Sequence, residues 1–389
     1  MRMTRSACVA LAALLAIVPE AVAQRPAART EAYFPTRFEW ATRRPEDVGM
    51  NAARLQEVVR FAEANAGNLH LNGDSLALVL ASEPYNEIVG PTHQRGPHNG
   101  MVIKNGYIVL EWGDTHRVDW TFSATKSYLA TMVGLAYDAG LIERLTDPVR
   151  RYAPDTLFAP PHNSGITWEH LLQQTSEWQG TLWGKPDWAD RYNRETGRRP
   201  VRPPGSHYTY NDVRVNLTAL AATHVWRRPL AEVFRDRVMD PIQASNTWRW
   251  HGYRNSWIDI DGRQVQSVAG GAHWGGGMWI STRDHARFGL LHLRRGVWAG
   301  QRILSERWID LATTPSAANP SYGFMWWLNT GKRQLPAAPE KSFYAAGGGG
   351  NYVWVDPEHD LVVVIRWIPE LNGLLEKVLA ALEPPARSR

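Results

Sequence analysis

The chain has 389 residues, 44% of them hydrophobic and 21% charged, with a formal net charge of +5. That length supports one large domain or two lobes around a substantial core, and a charge so small, with no Lys/Arg run, argues against a nucleic-acid partner. The only cysteine is Cys8, so past the first residues there is no disulfide, no thiolate nucleophile and no thiolate metal site.

Residues 1–23 read as a secretory signal. Arg2 and Arg5 form a positive start, 7–18 is an apolar stretch too short to span a bilayer, and Ala21-Val22-Ala23 is a cleavage site. Its removal leaves a net charge of +4. The expectation is a secreted or periplasmic protein with no stable membrane anchor after cleavage. Residues 24–45 are a Pro-, Arg- and Ala-rich lead-in. A helix follows, with Asn51 as its cap and Leu55, Val58, Val59 and Ala62 on one face. The stretch 66–99 is irregular, with strand character at 76–80. Asn105-Gly106 between two β-rich runs then predicts a hairpin over 101–112.

The next helix begins around Ser123 and ends near Gly140. Leu129, Met132, Val133 and Ala136 give it helical spacing. Its first turn holds Ser123-Ala124-Thr125-Lys126. Residues i and i+3 share a helix face, so a hydroxyl and an ammonium would lie side by side. A serine becomes a nucleophile only when a neighbour takes its proton, and a buried amine can do that or hold a second base in place.

From 142 to 300 the sequence predicts helical segments and long loops. A short helix is capped by Thr167, the loop 176–206 is rich in Trp, Gly, Pro and Arg, and helices start near Asp212 and span 283–294. Strand character returns at 323–328, 342–346, 352–355 and 361–367, before a last amphipathic helix with Leu371, Leu374, Leu375, Val378 and Leu382. Strands near both ends and helices between them predict an α+β body whose sheet draws on both termini, with a mostly helical lobe inserted.

Taken in order, these pieces resemble the serine β-lactamase-fold hydrolases. The resemblance covers roughly 45–385 and is strongest to the class C β-lactamase, esterase and D-aminopeptidase branch and to the 6-aminohexanoate-oligomer hydrolases. Its segments are Ser123-Ala124-Thr125-Lys126, Leu145-Thr146-Asp147-Pro148, Leu171-Leu172-Gln173-Gln174-Thr175-Ser176 and Trp354-Val355-Asp356-Pro357-Glu358. It implies the β-lactamase/penicillin-binding-protein transpeptidase-like fold, an antiparallel sheet flanked by helices. The implied domain is 46–389, with its body at 46–122 and about 310–389 and the helical lobe at about 123–309.

The family's second motif, Tyr-x-Asn, matches Tyr210-Asn211-Asp212, with Tyr208 as a rival for the tyrosine place. Asp212 stands where the family has asparagine; a carboxylate there would pair with Lys126. The third motif, Lys/His-x-Gly, reads here as Ala345-Ala346-Gly347 and has lost its basic side chain. That loss removes a grip on a substrate carboxylate and argues against penicillins. By the resemblance, the backbone N–H groups of Ser123 and Gly348 form the oxyanion hole. The four glycines 347–350 allow a ligand close to the backbone.

No phosphate loop, dinucleotide fingerprint, Gly-x-Ser-x-Gly turn or metal-ligand histidine spacing is present, so neither cofactor nor metal is expected. His273 and Trp183 are cleft candidates along with Asp212 and Gly347. The expected chemistry is acyl transfer to Ser123 from a small ester or amide, with Lys126 and Tyr210 moving the proton. D-amino-peptide or ω-amino-amide hydrolysis is the alternative within the enzyme class. A catalytically weak peptidoglycan- or β-lactam-binding sensor is the alternative outside it.

Overall fold

The protein was analysed as a computed structural model, which describes residues 32–67, 73–190 and 200–383. The expected signal at 1–23 therefore lies outside the described residues. Tyr33 onward forms one unit. In chain order its first elements are α1 (Ala52–Ala64), α2 (Gly73–Leu80), β1 (Asn99–Lys104), β2 (Tyr107–Trp112), β3 (Val118–Trp120), α3 (Thr125–Asp138) and α4 (Trp168–Leu172). Then come the short ladder β4 (Thr181–Leu182) and β5 (Lys185–Pro186), α5 (Asp212–Trp226), α6 (Leu230–Phe234), β6 (Arg249–Ile260), β7 (Arg263–Val268) and β8 (Gly277–Ser281). The remainder is α7 (Thr282–Leu293), β9 (Val297–Trp298), β10 (Gln301–Arg302), α8 (Glu306–Ala312), β11 (Trp327–Leu328), β12 (Phe343–Gly347), β13 (Asn351–Asp356), β14 (Leu361–Arg366) and α9 (Leu371–Ala380).

The main sheet is antiparallel, in the order β11-β12-β13-β14-β1-β2, so its centre joins strands from the two ends of the chain. Asn105 and Gly106 both take positive φ, as a tight β1–β2 hairpin requires. Every residue of β14 is buried because helices cover both faces. Val362 and Val364 belong to the core containing α3 and α7, while Val363 and Ile365 belong to the one containing α1 and α9. A strand covered on both sides shows no polar alternation, which is why 361–365 reads as an unbroken apolar run.

The antiparallel sheet and its helices match the α+β expectation, with four differences. Residues 76–80 are the end of helix α2, not strand: Leu76 and Leu80 are buried while Leu78 is exposed, the period of a helix. The run 323–328 is strand only at Trp327–Leu328, because Met325 has positive φ and breaks the extended chain. The stretch expected to be helices and loops also holds β6, β7 and β8, which with β3 make a second sheet. Finally, α7 lies on the main sheet against β13 and β14.

Two anchors tie the second sheet to the site. The buried Arg366 guanidinium donates to the carbonyls of Trp120 (2.8 Å) and Ile280 (2.6 Å), joining the end of β14 to β3 and β8. Thr121 donates both its backbone N–H and its hydroxyl to Met278 O, each at 3.0 Å. The chain therefore leaves β3 from a fixed point and turns at once into α3.

Candidate active site

The turn between Thr121 and α3 is backbone-strained. Phe122 has a φ of 47°, a left-handed value that a bulky side chain seldom takes. Phe122–Ala124 form one 3-10 turn, so Ser123 sits just ahead of the α-helix rather than inside it. The i, i+3 spacing still brings the two groups together: the Lys126 ammonium donates to Ser123 Oγ at 2.8 Å. Lys126 is buried at 2% exposure, because α3 is buried around almost its whole circumference instead of along one stripe.

The same ammonium donates to Asp212 Oδ1 at 2.8 Å. Asp212 opens α5, whose cap is Asn211; the Asn211 side-chain Oδ1 accepts from Arg214 N–H at 2.9 Å. A carboxylate in a first helical turn is favoured by the partial positive charge there. The Asp212 N–H donates to Asp190 Oδ2 at 3.0 Å. Two residues before Asp212, the ring of Tyr210 lies under Lys126, with Nζ 4.4 Å from the ring centroid. Trp327 stacks on that ring at 6.1 Å. Tyr208, the rival tyrosine, packs instead on Tyr322 at 5.2 Å, and burial raises its hydroxyl pKa.

Glycines let these parts meet. A Cβ on Gly271 would lie 1.6 Å from Asp212 Oδ1 and 2.6 Å from Lys126 Nζ. The Gly271 carbonyl also accepts from Ser123 Oγ, at 3.5 Å. A Cβ on Gly347 would lie 1.8 Å from Thr121 O, so the end of β12 can touch the nucleophile turn only without a side chain. β11 covers only Phe343 and Tyr344 of β12, which leaves Ala345–Gly347 as an edge beside the pocket. Gly348 follows in a tight turn steadied by Asn351, whose Nδ2 donates to Gly348 O at 2.7 Å. Ser123 N–H belongs to a first turn, where N–H groups have no partner within the helix. Ser123 and Gly348 both line the pocket.

That pocket has a volume of about 460 Å³. One wall is Leu76, Val79 and Leu80 from α2; Phe122, Tyr208, Tyr210 and Trp327 supply aromatic surface, and Ala346 the strand edge. Among the described residues its lining includes no lysine or arginine, in keeping with the missing third-motif side chain.

The structure brings Ser123, Lys126, Tyr210, Asp212, Gly347, Gly348 and His273 to one cleft. Trp183 does not belong there. It sits in the turn between β4 and β5 and packs edge-on against Tyr253, at 5.8 Å, apart from the lining residues. Three contributors escaped the sequence reading. Gly271 was signalled by the Gly270-Gly271 pair, but nothing local marks Asp190 or Glu83. The latter is buried and accepts from His273 Nε2 at 2.8 Å. His273 Nδ1 is 3.8 Å from Asp212 Oδ2. Burial alone would lower the His273 pKa, but the Glu83 hydrogen bond and the charges of Asp212 and Asp190 outweigh it, and the net shift is upward.

The family model for Beta-lactamase matches residues 101–367. The chain belongs to the beta-lactamase family. It is therefore a serine hydrolase by family, consistent with a Ser-x-x-Lys pair whose lysine is buried and whose serine lines a pocket. Among curated relatives, an uncharacterized protein of Alkalihalophilus pseudofirmus is 25% identical over 296 residues, covering 68% of this chain and 81% of its own. The 6-aminohexanoate-dimer hydrolase of Paenarthrobacter ureafaciens is 24% identical over 265 residues, covering 62% and 64%. Among solved structures, a family VIII carboxylesterase superposes with a TM-score of 0.56 at 17% identity, covering 86% of this chain and 98% of that one. The octameric penicillin-binding protein homologue of Pyrococcus abyssi gives 0.56 at 17%, covering 75% and 74%. These structural likenesses show the β-lactamase fold.

Proposed function

We propose that this beta-lactamase-family protein hydrolyses a carboxylic ester with an apolar, uncharged acyl group through an acyl-enzyme at Ser123. One observation carries the reading: Lys126 Nζ is shared between Ser123 Oγ and Asp212 Oδ1, 2.8 Å from each, at the foot of a largely apolar pocket that, among the described residues, is lined by no lysine or arginine. The substrate carbonyl oxygen points at the N–H groups of Ser123 and Gly348. The Lys126–Tyr210 pair, whose amine and ring are in contact, first gives one proton to solvent; Ser123 Oγ then bonds to the carbonyl carbon and its proton passes to the vacant place on that pair. The pair then protonates the departing alcohol. Water attacks the acyl ester in turn, loses its proton to the same pair, and releases the acid and the free serine. Each oxyanion donor contributes about 3 kcal/mol and the base about as much, so the loss of either is measurable. We place the protein outside the cytoplasm on the strength of its first 23 residues.

The test is a fluorophosphonate label together with p-nitrophenyl esters of increasing chain length. A Ser123 adduct, with turnover lost in Ser123→Ala, is expected; labelling of Ser123→Ala equal to the wild type refutes the reading. Val79→Phe, which fills the α2 wall, shifts the preferred ester to shorter chains. A second reading, hydrolysis of an ω-amino amide, is favoured by the relation to the 6-aminohexanoate-dimer hydrolase. Turnover of the matching p-nitroanilides but not of the esters selects it.

A further inference from the structure

Behind Asp212 lies a second polar pair that the proposed cycle does not use. The side chain of Glu83 is completely buried, and that of His273 is 9% exposed, at the pocket wall. They continue the charge series outward from the nucleophile: Ser123 to Lys126 at 2.8 Å, Lys126 to Asp212 Oδ1 at 2.8 Å, Asp212 Oδ2 to His273 Nδ1 at 3.8 Å, and His273 Nε2 to Glu83 at 2.8 Å. Charges alternate along the series, and each carboxylate oxygen of Asp212 faces a different basic group.

The two residues are mounted on segments fastened to each other. Val89 and Gly90 donate their N–H groups to Trp274 O at 3.1 and 2.9 Å, one residue beyond His273, and Gly276 N–H donates to Pro91 O at 2.8 Å. On the other side, the buried Lys185 ammonium donates to the carbonyls of Tyr85 (2.5 Å) and Glu87 (2.8 Å), pinning the chain just after Glu83. The groups that act on His273 are Glu83, Asp212 and Asp190; Lys126, Tyr210, Tyr253 and Tyr322 surround Asp212, and Lys185 faces Glu83.

A carboxylate alone beside Lys126 would hold protons strongly throughout the cleft. A positive imidazole on its other oxygen offsets that field. We propose that Glu83 and His273 are positioning residues of the reaction: they orient Asp212 and neutralise part of its charge, which keeps the base at Ser123 able to give up its proton near neutral pH. The inference rests on the Ser123 acyl-enzyme reading. The raised pKa of His273 agrees with it, since it extends the pH range over which the imidazole is positive.

The experiment is the pH profile of kcat and kcat/KM for p-nitrophenyl butyrate in the wild type, Glu83→Gln and His273→Asn. With the positive charge on Asp212 weakened or removed, protons in the cleft are harder to release. The acidic limb should move up by about one pH unit in His273→Asn, and by less in Glu83→Gln. At pH 6 kcat should fall about tenfold and recover by pH 9, with KM unchanged within about twofold. Glu83→Asp should restore the wild-type profile in part. A merely structural pair would lower activity equally at every pH, and that result, or unshifted profiles in both variants, overturns the proposal. So does failure of both variants to fold, because the pair is then a brace. Fluorophosphonate labelling of wild-type Ser123 separates the two claims: no adduct sinks the acyl-enzyme reading, whereas an adduct with unshifted profiles sinks this inference alone.

Discussion

Replacing Gly271 with alanine tests the core of the site with one methyl group. Gly271 is not among the residues with positive φ, so the backbone tolerates alanine, and any effect comes from contact. The new Cβ would lie 1.6 Å from Asp212 Oδ1, where ordinary contact starts at 3.4 Å, so the carboxylate must retreat by roughly 1.8 Å. Its 2.8 Å bond to Lys126 cannot survive that shift. The ammonium, at 2% exposure, is then left beside Ser123 without its counter-charge. Breaking a buried ion pair costs about 3 kcal/mol or more, and a misplacement of about 1 Å in a catalytic array costs about 100-fold in rate. The expected result is a loss of at least about 100-fold in kcat/KM on p-nitrophenyl butyrate, slower fluorophosphonate labelling and a melting temperature several degrees lower. Gly165→Ala is the control, since nothing lies within 4 Å of its added Cβ. Wild-type turnover in Gly271→Ala would show that the Lys126–Asp212 contact is irrelevant to catalysis and refute the reasoning.

Asp212→Asn restores the family's residue but leaves the Lys126 charge without a carboxylate. We expect a stability loss of about 2–3 kcal/mol in denaturant unfolding and a changed pH profile of kcat. Gly347→Ala should abolish turnover because its Cβ would strike Thr121 O at 1.8 Å and push the oxyanion strand away; steady-state kinetics on the ester panel read this directly. His292 carries an acid-stability prediction. Burial lowers its pKa to about 4, against a partial opposing effect of the Phe288 carbonyl that accepts from it. The unfolded chain takes up that proton near pH 6.5 while the folded one stays neutral down to about 4, so stability falls as pH drops through that window, by about 3 kcal/mol from this group at most. Urea midpoints at pH 7 and pH 4.5 should therefore differ less in His292→Gln than in the wild type.

Local chemistry alone marked several features. Ser123 and Lys126 are three residues apart, and helical geometry makes that spacing a contact. The caps Asn51 and Thr167 and the Asn105-Gly106 turn were equally legible, because each satisfies its own backbone within a few residues. The place of Tyr210 and the departure at Asp212 came from motif order, and both proved to lie against Lys126. What the tertiary structure decided is what acts across long chain separations. Asp212 meets Lys126 from 86 positions away, and Glu83 meets His273 from 190. Neither partner carries a local mark, since an isolated acidic residue looks the same whether it is solvated or buried against a base. The same limit made α2 read as a strand and placed Trp183 in the cleft: a short apolar run and a lone tryptophan both take their role from whatever surface the fold brings to them. Chain-local spacing specified the nucleophile and its amine; only packing could supply the charges that set how that amine behaves.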